Sequence, residues 1–199
     1  MKIYLASGNI NKKREVQELL PSHRIVLPKD EGMEFDPEET GSTFFENSMI
    51  KAKALYDIVK APVLADDSGL CVDFLNGAPG VHSARYGSIE GEHVSAEAGI
   101  IKVLNELKGV KKRSAFFACC IVFLLNENRF YSVQEICEGT ISEAPSGSGG
   151  FGYDPIFFVE KLGKTFAELT SEEKNSISHR GKALVSISKL IEPLKTSIF

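Results

Sequence analysis

The sequence predicts an α/β protein, a mixed sheet with helices on its faces, and three observations predict it. Short apolar runs alternate with amphipathic helical patterns through the first third of the chain. Two long β-branched and aromatic runs follow one another across "NENR" (126–129), which reads as a hairpin and rules out a purely parallel, doubly wound sheet. A helical pattern then closes the sequence. With 199 residues, 43% of them apolar, the chain has the substance for one domain and a sizeable core. It carries no internal repeat and no long linker.

"KIYLAS" (2–7) is a strand that ends in a turn at Gly8-Asn9. "NKKREVQELL" (11–20) brings Val16, Leu19 and Leu20 to helical spacing before Pro21 stops it. "RIVLP" (24–28) is a second short strand, and the acidic, turn-rich residues 28–42 form a loop. Thr43 and Glu46 fit a capping box that opens a helix running to Lys60. "PVLAD" (62–66) and "LCVDFL" (70–75) read as two strands interrupted by "DDSG". Residues 76–91 are irregular, 95–108 helical, and 114–125 and 129–141 the hairpin strands. A glycine loop, "GSGGFG" (147–152), precedes a strand at "IFFV" (156–159). The closing helical region, "SEEKNSISHRGKALVSISKLIEPL", carries Leu184, Ile187, Leu190, Ile191 and Leu194 on one stripe.

Composition narrows the function. A net charge of −4 without a basic run argues against nucleic acid as the main partner, but it does not exclude a small anionic ligand, which needs only a few local cations. The longest apolar run, "AFFACCIVFLL", falls far short of the roughly 20 residues of a membrane span. The N-terminal apolar stretch is too short for a signal peptide, so a cytoplasmic protein is expected. Cys71, Cys119, Cys120 and Cys137 lack zinc-ligand spacing and read as buried free thiols.

Four stretches carry candidate chemistry. In "SGNINKKRE" (7–15), a strand, a tight turn and a helix start offer backbone N–H groups, Ser7, Asn9 and Lys12 to a phosphate; the alternative is an ordinary turn with a solvated lysine. In "ADDSG" (65–69), Asp66 and Asp67 end an apolar strand. They suit Mg²⁺, with Glu38 and Glu39 available from the acidic loop, or they are turn chemistry alone. "EEKNSISHRGKA" (172–183) gathers Lys174, Ser178, His179 and Arg180, as a site or as a solvated helix face. Gly147, Gly149 and Gly152 satisfy G-x-G-x-x-G, but the loop runs from a turn into a strand. That context excludes a dinucleotide fingerprint and leaves Phe151 and Tyr153 free to stack on a base beside Asp154, or to pack a hairpin end.

Together these stretches resemble the inosine/xanthosine triphosphate pyrophosphatases. The matching motifs are "SGNINK" (7–12), "EETGSTFFENSMIKA" (38–52), "ADDSGLCVD" (65–73), "GAPGVHSARY" (77–86), "GGFGYDPIFF" (149–158) and "ELTSEEKNSISHRGKAL" (168–184), in the family's order. Ser7 stands where threonine is usual, and the hydroxyl is kept. The resemblance implies an elongated α/β fold with two lobes around a central nucleotide-binding cleft, usually a homodimer. It implies Mg²⁺-dependent hydrolysis of non-standard purine triphosphates (ITP, dITP, XTP) to the monophosphate and pyrophosphate. By the same resemblance Ser7, Gly8, Asn9, Ile10, Asn11, Lys12, Lys51 and Ser68 bind substrate. The resemblance also implies Glu39 and Asp67 as metal ligands with Asp66 close by, and Asp67 as the catalytic carboxylate. It implies Phe151, Gly152, Tyr153, Asp154, Lys174, His179 and Arg180 as the base site.

Overall fold

A computed structural model describes residues 1–87 and 95–196. The end of the predicted irregular segment, 88–91, and His93 lie outside the described residues. In chain order the elements are β1 (Lys2–Leu5), α1 (Ile10–Leu19), β2 (Arg24–Val26), α2 (Phe44–Val59), β3 (Val63–Val72), α3 (Ala96–Glu106), β4 (Ser114–Asn126), β5 (Arg129–Ile141), β6 (Phe157–Val159), β7 (Lys164–Thr165), α4 (Ser171–Ile177) and α5 (His179–Ile191). The sheet is mixed, in the order β2-β1-β3-β4-β5-β6-β7. β1 pairs parallel to β2 and β3, whereas β6 pairs antiparallel to β5 and β7.

The chain divides into two compact units. The first comprises residues 1–67, 119–135 and 179–199; the second comprises 68–118 and 136–178. In the first unit β1 and its parallel neighbour β3 are buried on both faces, as parallel strands covered by helices must be. Ile3, Leu5, Leu64, Cys119 and Ile121 pack with Val16 of α1 and with Leu184 and Ile187 of α5. Tyr4, Ala6, Val63, Ala65 and Val122 face the other way, onto Ala52 and Leu55 of α2. The period-2 alternation of a strand makes this division, and it fixes where the next residues of β3 point. In the second unit, Leu70, Val72, Phe117, Phe157 and Phe166 form a separate core with Val103 and Leu107 of α3 and its C-terminal end.

Three predicted elements differ. β3 is one strand through Asp66-Asp67-Ser68-Gly69, not two strands around a turn, because the turn-forming side chains find partners on either face of the strand. The strand after the glycine loop begins only at Phe157, since Pro155 lies in a 3-10 turn over Asp154–Ile156. The closing helical region is two helices. Ser178 has φ −68° and ψ 156°, an extended conformation that ends α4 before α5 starts. Capping at Thr43 is as expected: its side chain accepts from Glu46 N–H while the Glu46 carboxylate accepts from Thr43 N–H.

Candidate active site

Asp66 and Asp67 are consecutive, so their side chains leave opposite faces of β3. Asp66 lies on the α1/α5 face. Its Oδ1 accepts from Lys12 Nζ at 2.6 Å, and its Oδ2 accepts from Arg180 Nε at 2.6 Å and from the Cys119 thiol at 3.2 Å. Arg180 also donates from Nη1 to Glu15 Oε2 at 2.6 Å. Asp66 and Arg180 are 1% and 2% exposed. Burial alone would push the Asp66 carboxyl up, but Arg180 and Lys12 outweigh it and hold the group well below its ordinary range. Burial of Cys119, with Asp66 beside it, pushes that thiol well up and keeps it protonated as a donor.

Asp67 lies on the α2 face. Its Oδ1 accepts from Lys51 Nζ at 2.8 Å, and its Oδ2 from Asn47 Nδ2 at 3.4 Å. The same ammonium is 3.0 Å from Glu39 Oε1, in the loop before α2. Asn47 Oδ1 accepts from Gly41 N–H at 2.8 Å, so one buried amide ties this loop to the aspartate. α2 therefore buries polar residues in its first two turns, Asn47, Ser48 and Lys51, and apolar ones beyond, Ala52 and Leu55. Burial raises the Asp67 carboxyl despite Lys51, while the Lys51 ammonium, lowered by burial, is raised on balance by Asp67 and Glu39. One cation serving two carboxylates is stabilised by both.

The turn after β1 is an N-cap rather than an open set of donors. Asn9 Oδ1 accepts from Asn11 and Lys12 N–H, at 2.8 and 3.3 Å, and Asn9 N–H donates to Ser7 Oγ at 3.1 Å. Two of the N–H groups expected for phosphate are thus capped, and Ile10 is largely exposed. Ser68 follows Asp67 on β3, as the first residue of the second unit.

The second unit holds the other cluster. Asp154 Oδ2 accepts from Lys174 Nζ at 2.6 Å and from Phe151 N–H at 2.8 Å. The Lys174 ammonium stands 4.7 Å from the Phe151 ring centroid and 5.7 Å from that of Phe166, a cation–π arrangement. The glycines of this loop have structural reasons: Gly150 has φ +67°, and a Cβ there would sit 2.0 Å from Asp154 Oδ2. Tyr153 is buried, and its hydroxyl donates to Ser83 O at 2.9 Å. Gly152, with φ +62°, makes the turn between Phe151 and Tyr153.

Sequence reasoning grouped Arg180 and His179 with the base residues, but the Arg180 guanidinium is engaged by Asp66 and Glu15 in the first unit, where buried His179 begins α5. Asp66 was expected next to a metal; its oxygens serve the protein's own cations instead, on the face of β3 opposite Asp67. Glu15, Asn47 and Cys119 were missed. For Glu15 and Asn47 the signal was present, as a charged and an amide residue at positions where helix periodicity demands apolar ones; Cys119, in an apolar strand run, gave none.

Glu39 and Asp67 fit a hard cation. Their oxygens, from a loop and a strand, converge on one ammonium, and Asp67 is 6% exposed. Among the described residues no three His, Cys, Asp or Glu side chains form a metal-holding group. Two carboxylates suffice for magnesium, which keeps waters and takes substrate phosphates.

The pattern that defines the Ham1 family matches residues 3–190. The chain belongs to the Ham1 family. It is 88% identical over 192 residues to a dITP/XTP pyrophosphatase of Treponema denticola, covering 96% of this chain and 99% of that protein. It is 46% identical to the dITP/XTP pyrophosphatase of Bacillus subtilis, covering 94% and 96%. The structure of the Staphylococcus aureus Ham1 protein superposes with a TM-score of 0.86 at 40% identity, covering 97% of this chain and 99% of that one. Membership agrees with the mixed seven-stranded sheet. Among the described residues no helix is long and apolar enough to cross a membrane.

Proposed function

We propose that this protein is a Mg²⁺-dependent pyrophosphatase that hydrolyses non-standard purine nucleoside triphosphates, ITP, dITP and XTP, to the monophosphate and pyrophosphate. The observation that carries the reading is the arrangement of Glu39, Lys51 and Asp67, two carboxylates converging on one cation in a chain of the Ham1 family. The dITP/XTP pyrophosphatase relatives support the substrate class.

In this reading the turn at Ser7–Lys12 and Lys51 take the triphosphate. Glu39 and Asp67 would hold magnesium, which would supply charge neutralisation at the phosphate oxygens. Asp67 orients the water that attacks the α-phosphorus and accepts its proton. Lys12 and Lys51 meet the charge that grows on the departing pyrophosphate. Asp66, Glu15 and Arg180 hold Lys12 in place from behind.

Phe151 offers a face for a purine, and Lys174 and Asp154 read its edge. Hypoxanthine and xanthine present an acceptor at O6 and a donor at N1, matching an ammonium and a carboxylate. Adenine reverses both and leaves the ammonium facing an amino group, which is costly where water is excluded.

The test is product analysis with ITP, dITP, XTP, GTP and ATP, with magnesium and with chelator. The expected result is pyrophosphate from the first three, dependent on magnesium, with ATP slower by orders of magnitude. Lys174→Met is expected to narrow the ITP-to-ATP ratio of kcat/KM. Orthophosphate as the product, or equal rates on ITP and ATP, would contradict the proposal.

A further inference from the structure

The Lys51 ammonium occupies the place in which Glu39 and Asp67 would hold a cation. We infer that Lys51 is an internal counter-ion that competes with the metal, so that metal and triphosphate each improve the other's binding by drawing Lys51 from the carboxylates to a phosphate. The inference rests on the reading proposed above and concerns how its ligands are coupled.

Three features carry it. Lys51 is 7% exposed, and its Nζ lies 3.0 Å from Glu39 Oε1 and 2.8 Å from Asp67 Oδ1. A buried ammonium is tolerable only with such partners, and two carboxylates this close are tolerable only with a cation between them. The backbone that bears Lys51 is fixed: Ser48 Oγ donates to Cys120 O at 2.7 Å, and Ala52 and Leu55 are fully buried against the core. Motion is therefore left to the four-carbon stem, which can turn a point charge toward another anion without moving the helix. A divalent cation entering between Glu39 and Asp67 meets a positive charge already there. A triphosphate oxygen gives that charge another partner. Each ligand thus lowers the cost of binding the other, and the coupling is reciprocal.

The same surroundings distinguish Lys51 from Lys12. Lys12 Nζ bonds Asp66 Oδ1 at 2.6 Å and the Asp66 carbonyl at 3.2 Å, on the other face of β3, where Arg180 already neutralises the carboxylate. Removing Lys12 leaves no carboxylate pair without a cation; removing Lys51 does.

The experiment is calorimetric titration of the nucleotide-free protein with Mn²⁺, comparing wild type with Lys51→Met and Lys51→Gln. Met keeps the apolar stem, and Gln keeps a hydrogen-bond donor without the charge. Both variants are expected to bind Mn²⁺ at least about tenfold more tightly than wild type, since a unit charge within contact distance is removed. Both should also show a larger Mn²⁺-induced rise in Tm. Inorganic tripolyphosphate without metal should bind both variants more weakly than wild type. Equal or weaker Mn²⁺ binding by both variants overturns the inference. If wild type still releases pyrophosphate from ITP with magnesium, that result leaves the proposed function standing. If neither wild type nor variants bind Mn²⁺ and no pyrophosphate is released, both fall.

Discussion

The two faces of β3 carry adjacent aspartates in contrary electrostatic settings. On the α1/α5 face, Asp66 is buried against Lys12, Arg180 and a thiol, and its carboxyl is held far below the ordinary range. On the α2 face, Asp67 shares one ammonium with Glu39, and burial raises its carboxyl. In the first setting one carboxylate already has two cations and a thiol as donors. The second has two carboxylates sharing one cation, which is the place a metal would contend for with Lys51. One residue of offset along a strand thus separates a carboxylate held by two cations from one that shares a single cation with a second carboxylate.

The largest expected effect lies on the α1/α5 face. Arg180→Ala leaves Asp66 and Glu15 buried without their shared cation. Breaking a buried pair in this way destabilises by about 3–5 kcal/mol. Urea denaturation measures it, and a loss within about 1 kcal/mol would mean that Arg180 is not the cation that holds this face together.

A smaller effect separates the faces by pH. The Asp66 carboxyl is depressed in the folded state. Its contribution is complete above the ordinary value of 3.8 and is lost as pH falls below that toward the depressed value. Asp66→Asn is therefore expected to be less stable than wild type at neutral pH, with the gap closing on acidification. Asp67 has the opposite sign: its raised carboxyl favours the protonated form in the folded state, so its ionisation costs stability as pH rises through the folded value. Asp67→Asn is not expected to show a gap that closes in acid. Denaturation midpoints at neutral pH and at about pH 3 check both, and a gap for Asp66→Asn that does not change with pH contradicts the assignment.

Much of this was legible in the sequence. The βα opening, the hairpin, the capping box at Thr43 and the apolar stripe of α5 followed from periodicity and composition, because burial and local capping decide them. The continuity of β3 did not. "DDSG" has the composition of a turn, and only long-range partners, Lys12, Arg180, Lys51 and Asn47, make it a strand. The opposite orientation of Asp66 and Asp67 follows from period 2 once the strand is known. The same holds for Arg180: Ser178 breaks the helical region, so the spacing that linked Lys174 with Ser178–Arg180 does not describe one helix face. Glu15 and Asn47 sit at core positions of amphipathic helices, where a polar residue signals a distant partner but does not name it.

The central claim is that the α2 face, and not the α1/α5 face, receives the metal. Its most direct test is the Mg²⁺-induced change in Tm of wild type, Asp66→Asn and Asp67→Asn, each scanned with magnesium and with chelator. Wild type and Asp66→Asn are expected to gain stability with magnesium, Asp66→Asn from a lower starting point, while Asp67→Asn gains none. A metal response lost in Asp66→Asn and kept in Asp67→Asn would contradict the account.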